Sequence, residues 1–243
     1  MHRAHRLQFY RRLQPVQALS FDLDDTLYDN PPVLKRAEQR LVDWLQQAIS
    51  APLAGDRDFW RLHKNQVASS QPELMQCSTQ WRLAALTSGA LGLGLASNEA
   101  QQLAQQAMER FLVWRSDIQV PAENLALLEA LAQRYPLAVI TNGNADVSRF
   151  MPQIPFACVL NAGPDGPQKP APDLFHRCCQ QLGLAPSQLL HIGDHPDTDV
   201  AGALSAGCQA VWLNPRPDGR PRPAGARLPT AAVDSLQALR QLL

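Results

Sequence analysis

Five short apolar runs, set apart by helical patterns, constrain this chain more than any other feature. They fall at residues 16–22, 137–141, 158–161, 189–193 and 209–213, and most are nearly continuous in apolar side chains rather than alternating apolar with polar. Strands of that kind are buried on both faces, so helices must cover a parallel sheet above and below. The intervening patterns supply them. Leu125, Leu128, Leu131 and Ala132 mark one helix; Leu174, Phe175, Cys178 and Leu182 mark another, with Gly183 placed as its C-cap. Val200, Ala203 and Leu204 mark a third, stopped by Gly207.

The segment 31–117 breaks this rhythm, because it shows no convincing strand. Leu34, Ala37, Leu41, Leu45 and Ala48 recur at spacings of three and four behind the pair Pro31-Pro32, which suits a helix start. Further helices are expected over 56–68, 72–87 and 98–114. The fold class is therefore α/β: a Rossmann-like, doubly wound parallel sheet formed by residues 1–30 and 118–243, with an all-helical cap inserted at 31–117. Most of Trp44, Trp60, Trp81 and Trp114 are expected to pack inside the cap, with one or two free to stack on a ring of the substrate.

Whole-chain properties narrow the function classes. The 243 residues carry 22 basic and 22 acidic side chains, so no global charge draws the chain to nucleic acid or to an anionic membrane. No apolar run approaches the ~18–20 residues that span a bilayer. Five cysteines, Cys77, Cys158, Cys178, Cys179 and Cys208, form an irregular set without a C-x-x-C pair. Buried thiols in a reducing, cytoplasmic setting fit that pattern. Residues 1–15 hold Arg3, Arg6, Arg11 and Arg12 without an acid and read as a solvated basic arm. Residues 214–229 read as a Pro/Arg/Gly-rich loop, and 231–243 as a last docking helix. No obligate protein partner is read from the sequence.

In a parallel sheet of this kind ligands bind beyond the carboxyl ends of the strands, and the polar residues of this chain fall there. Asp22, Asp24 and Thr26 follow the first run; Thr141, Asn142 and Gly143 follow the second. The third leads through a Gly/Pro loop to Lys169, and the fourth ends in Gly193-Asp194 with Asp197 and Asp199 beyond. Alternation along an extended chain puts Asp22 and Asp24 on one side, about 6–7 Å apart. Two carboxylates so placed require a positive partner, a divalent metal or a reacting phosphoryl group. Carboxylate oxygens are the ligands Mg²⁺ prefers, and a lysine with exposed backbone N–H groups makes an oxyanion cradle.

This set resembles the haloacid dehalogenase (HAD) superfamily of phosphatases over nearly the whole chain. Asp22-Leu23-Asp24-Asp25-Thr26 matches its D-x-D-x-T motif, Thr141-Asn142-Gly143 its second motif, Lys169-Pro170 its third, and Gly193-Asp194 with Asp199 its fourth. The insertion sits where members with a C1-type helical cap carry theirs. The resemblance implies a Mg²⁺-dependent phosphatase acting on a small-molecule phosphate ester. Asp22 would be the nucleophile and Asp24 the acid and base, with Thr141, Asn142 and Lys169 around the phosphoryl group. Asp22, Asp194 and the backbone carbonyl of Asp24 would hold the metal, and Asp199 would act on it from behind its ligands or through a water. Phe9-Tyr10-Arg11, Trp114-Arg115-Ser116, Ile140-Thr141-Asn142-Gly143-Asn144 and Ala162-Gly163-Pro164 look like one bacterial branch, which contains phosphatases of FMN and of 5-amino-6-(5-phospho-D-ribitylamino)uracil.

Other readings of the same residues stand beside these. A calcium-binding EF-hand starting at Asp22 would need Gly at Leu27 and Glu at Val33 and is excluded. Thr141-Asn142-Gly143 alone is ordinary turn chemistry, Lys169 alone an ordinary surface lysine, and Asp197 a first-turn acid on a helix dipole. Asp199 fits both a first-turn and a metal-linked part, and His195 the rim of the site. A phospho-receiver domain also combines aspartates, Thr and Lys, but it has neither the helical insertion nor a second acid like Asp24. A catalytically silent relative would not fill every motif position. Within the superfamily, phosphatases of sugar phosphates, nucleotides or phosphoglycolate remain alternatives.

Overall fold

Residues with near-continuous apolar character pair into strands because both faces can be covered. In the computed structural model, which describes residues 7–214 and 227–243, the described strands are β1 (Leu7–Phe9), β2 (Ala18–Phe21), β3 (Leu137–Thr141), β4 (Phe156–Asn161), β5 (Leu189–Gly193), β6 (Gln209–Leu213) and β7 (Ala231–Val233). They form one sheet in the order β1-β7-β6-β5-β2-β3-β4. All neighbours run parallel except β1 against β7. Every residue of β2, β3 and β5 is buried, and the reversal of strand order around β2 makes its carboxyl end a switch point.

The chain divides into two compact units. One comprises the residues up to Asp29 with Gln119–Gly143 and Met151–Leu243, and contains the sheet; the other comprises Asn30–Ile118 and Asn144–Phe150. The second is helical. It contains α1 (Asn30–Ala48), α2 (Arg57–Ser70), α3 (Ser78–Gly92), α4 (Ser97–Arg115) and, beyond α5 of the sheet unit (Ala122–Ala132), the short α6 (Val147–Phe150). Val33, Ala37, Leu41, Val42 and Leu45 form the buried stripe of α1. Asp56 caps α2 by accepting from the N–H of Asp58 at 2.8 Å, which satisfies a helix-end donor. Glu99 does the same for α4 by accepting from the N–H of Ala96 at 3.1 Å.

In the sheet unit α7 (Asp173–Leu182) ends where Gly183 turns left-handed at φ 66°, as its C-cap position requires. The expected third helix takes a different form. Pro196–Ala201 make a wide π-type turn that runs into the single turn of α8 (Gly202–Ser205). The His195 ring caps its start, accepting from the N–H groups of Asp197 and Thr198 at 3.2 Å each. Two further corrections concern the chain ends. Part of the expected basic arm is strand β1, and the expected last helix begins as strand β7 and continues as a 3₁₀ helix, Leu236–Leu242. Arg3 and Arg6, and residues 215–226 of the expected Pro/Arg-rich loop, lie outside the described residues.

All five cysteines are buried and unpaired. No helix among the described residues is long and apolar enough to cross a membrane. Inside the helical unit, Gly89 lies against the Trp60 ring so closely that a β-carbon would meet it at 2.4 Å. Gly89→Ala is expected to lower the stability of that unit by about 1–3 kcal/mol through overpacking, read as a shift in the urea midpoint at unchanged slope.

Candidate active site

Four strand ends deliver the site. Asp22 follows β2, and its N–H is held by the carbonyl of Ile192 in β5 at 2.9 Å. Thr141 closes β3, β4 leads to Lys169, and Asp194 follows β5. The structure brings Asp22, Lys169, Asp194 and Asp199 together, with carboxylate oxygens of the three aspartates within 4.8 Å of one another.

Lys169 is the centre of this group. Its ammonium, only 1 % exposed, donates to Asp22 Oδ1 at 2.7 Å, to Asp199 Oδ1 at 2.6 Å and to the carbonyl of Ile140 at 2.7 Å. A lysine has three N–H donors, so none is left for a direct bond to a phosphoryl oxygen; towards phosphate it acts as a charge. Asn142 spends its amide on the same residue, its Oδ1 accepting from the Lys169 N–H at 2.8 Å and its Nδ2 donating to the Lys169 carbonyl at 2.9 Å. Thr141 Oγ1 accepts from the N–H of Gly143 at 2.9 Å, which leaves the hydroxyl proton for an incoming acceptor.

Three aspartates against one ammonium leave two uncompensated negative charges. Burial, with Asp199 adding to it, pushes Asp194 up to about 6. Burial likewise raises Asp22, despite the opposing pull of Lys169. Asp199 goes the other way: its burial is outweighed by Lys169 and His191, and it lies well below the usual carboxylate range. Lys169 is raised, because burial is outweighed by Asp22 and Asp199. Acids held above their ordinary range at one point are the electrostatic mark of a place for a cation, and an all-oxygen donor set suits a hard divalent ion. Asp22 and Asp194 are the carboxylates with capacity for it. Both oxygens of Asp199 are engaged, Oδ1 by Lys169 and His191 and Oδ2 by the N–H of His195 at 2.9 Å.

Several further residues take part, among them Thr26 of the first motif and others outside the motifs. Tyr28 donates its hydroxyl to Asp24 Oδ1 at 2.6 Å, and Thr26 donates to Asp194 Oδ1 at 3.2 Å. Trp212 holds the Asp194 carbonyl at 2.8 Å. Ser20 and His191 face each other in the register of β2 and β5. They are hydrogen-bonded at 2.9 Å through Nδ1, while Nε2 reaches Asp199 Oδ1 at 3.3 Å. The Nε2–H tautomer satisfies both bonds, and burial lowers the His191 pKa, which keeps the ring neutral. A sequence signal for this pair exists, since both are polar residues inside otherwise apolar strands. Asp197 is exposed, and His195 caps the π-type turn. Gly193 admits no side chain, because a β-carbon there would lie 2.3 Å from Asp199 Cγ.

The chain matches the family model of haloacid dehalogenase-like hydrolases over residues 16–207. It belongs to that family. It is 38 % identical over 209 residues to the 5-amino-6-(5-phospho-D-ribitylamino)uracil phosphatase YigB of Escherichia coli K12, covering 86 % of this chain and 88 % of that one. It is 27 % identical to the mouse N-acylneuraminate-9-phosphatase, covering 95 % of each. Among solved structures it resembles a 2-haloacid dehalogenase of Pseudomonas syringae pv. tomato DC3000, with 35 % identity, a TM-score of 0.82 and coverage of 94 % of this chain and all of that one. This haloacid dehalogenase-like hydrolase is a phosphatase. Lys169→Met would leave buried carboxylates without their cation, and is expected to destabilise the protein by about 3–5 kcal/mol in urea unfolding.

Proposed function

We propose that this phosphatase hydrolyses phosphomonoesters through an aspartyl-phosphate on Asp22, with Mg²⁺ as cofactor and FMN or 5-amino-6-(5-phospho-D-ribitylamino)uracil as substrate. The observation that carries the reading is the division of labour between two carboxylates. Asp22 is buried and held by Lys169, whereas Asp24 is half-buried and bonded to a neutral phenol. Asp22, Asp194 and the backbone carbonyl of Asp24 would hold Mg²⁺, which when bound supplies positive charge to the phosphoryl oxygens.

The chain's own groups then act in two displacements. Asp22 attacks phosphorus while the bond to the ester oxygen breaks, and Asp24 gives that oxygen its proton. Asp24 next takes a proton from a water that attacks the same phosphorus, releasing inorganic phosphate and the Asp22 carboxylate. Thr141 offers its hydroxyl proton to the phosphoryl group, and Lys169 steadies the nucleophile's charge. A leaving halide would need no proton, so the presence and anchoring of Asp24 favour ester cleavage over dehalogenation. The similarity to YigB supports the substrate, and the helical unit is read as the cap that selects it. Five buried, unpaired thiols fit a cytoplasmic enzyme.

Asp22→Asn is expected to reduce phosphomonoesterase turnover to background; wild-type turnover in that variant contradicts the reading. Asp24→Asn is expected to lower kcat by about 10²–10⁴-fold while Mg²⁺ binding, followed by calorimetry, is largely kept. A panel of phosphate esters compared by kcat/KM is expected to rank FMN or the ribitylaminouracil phosphate above sugar phosphates, nucleotides and phosphoglycolate. A sugar phosphate at the head of that ranking would reassign the substrate.

A further inference from the structure

The helical unit contains a cavity of its own, of about 510 Å³, within the range of small-molecule sites. Its walls come from α1, α2 and α3, and its charge is one-sided. Arg57, Arg61, Lys64 and Arg82 line it against two acids, Glu38 and Asp58. Both acids are already engaged. Glu38 takes Arg57 at 2.8 Å and Arg82 at 3.5 Å, and Asp58 takes Arg61 at 3.2 Å.

Two of the cations are poorly compensated. Arg82 has only 13 % of its side chain exposed and its guanidinium stacks on Phe111 at 3.8 Å. It cannot shed its proton, and Glu38, in a loose contact shared with Arg57, is the one carboxylate within ion-pair distance of it among the described residues. Lys64 has no carboxylate at that distance among the described residues, and its ammonium lies 4.4 Å from the Trp81 ring. Burial, followed by the neighbouring Arg82, pulls its pKa down to about 8.

The flat walls are fixed in advance. Trp60 Nε1 donates to the carbonyl of Ala54 at 2.8 Å and Trp81 Nε1 to that of Lys64 at 3.0 Å. Each indole therefore satisfies its N–H within the protein and leaves its ring for packing. A cavity with surplus buried positive charge and two anchored indoles is matched by a planar ring bearing an oxyanion.

We propose that this cavity is a binding site for a small organic anion, a carboxylate or phosphate-like group carried on a planar ring, held by Lys64 and Arg82 with the ring against Trp81 or Trp60. Neither group is a participant in the phosphatase chemistry above, and the probes chosen are not phosphate esters, so the site stands or falls separately from that reading.

The test follows tryptophan fluorescence of the full chain titrated with phthalate, phenylphosphonate and succinate. The first two present carboxylate and phosphonate on a ring, and the third presents carboxylates without one. Saturable changes are expected with one or both ring anions, with succinate at least tenfold weaker. Lys64→Met is expected to weaken ring-anion binding at least tenfold. Arg61→Gln, whose side chain is 69 % exposed and whose replacement leaves the core untouched, is expected to weaken it about threefold. Arg61→Gln decides the matter if Lys64→Met melts differently from the wild type. No saturable signal with either ring anion, succinate binding as tightly as they do, or unchanged affinity in the deciding variant would overturn the proposal.

Discussion

The buried ammonium of Lys169 is the interaction on which the rest of the site depends. A charge so fully withdrawn from water is tolerable only when every donor is met, and here a strand carbonyl and two carboxylates meet all three. Those bonds tie β3, through Ile140, to Asp22 after β2 and to Asp199 beyond β5. Asn142 clamps the Lys169 peptide from both sides, while His191 and Ser20 brace Asp199 from within the sheet. The orientation of Asp22 is thus fixed through Lys169 by groups on, or just beyond, the buried strands, the preorganisation that electrostatic catalysis requires.

One ammonium does not balance three aspartates, and this shortfall connects structure to chemistry. The arriving phosphate ester adds further negative charge to a region that already pushes Asp194 up to about 6. In the proposed mechanism an unassisted Asp22 would be repelled by the negative phosphoryl oxygens around the phosphorus. Asp22 and Asp194 would hold a divalent ion, which would offset this negative charge, and their all-oxygen donor set is suited to Mg²⁺. Asp24, half-buried, accepts instead from the Tyr28 hydroxyl at 2.6 Å.

Much of this architecture is legible in the order of residues alone. The five apolar strands, the helical insertion and the placement of Asp22, Thr141, Lys169 and Asp194 follow from local pattern, because burial on both faces leaves a continuous apolar signature. Strands β1 and β7 are too short to show one: each is three residues long and exists through pairing with its neighbour, a tertiary cause. Residues 231–243 carry helical spacing, yet the segment 231–233 is claimed by the open edge of β6. Side-chain wiring is hidden for a different reason. That Asn142 serves the Lys169 backbone, that His195 caps a turn and that Tyr28 holds Asp24 depends on distances of a few ångströms across loops, which residue type and spacing do not encode.

In the proposed mechanism Asp22 carries the phosphoryl group between the two displacements. The most direct test of this step is acid quench of the enzyme during steady-state turnover of a phosphate ester, followed by borohydride reduction and peptide mass spectrometry. An acyl phosphate is reduced under these conditions whereas a free carboxylate is not. Homoserine in place of aspartate at position 22 is expected, dependent on substrate and on Mg²⁺. Turnover with an intact Asp22 and no reduced aspartate, or reduction at another aspartate, would contradict it.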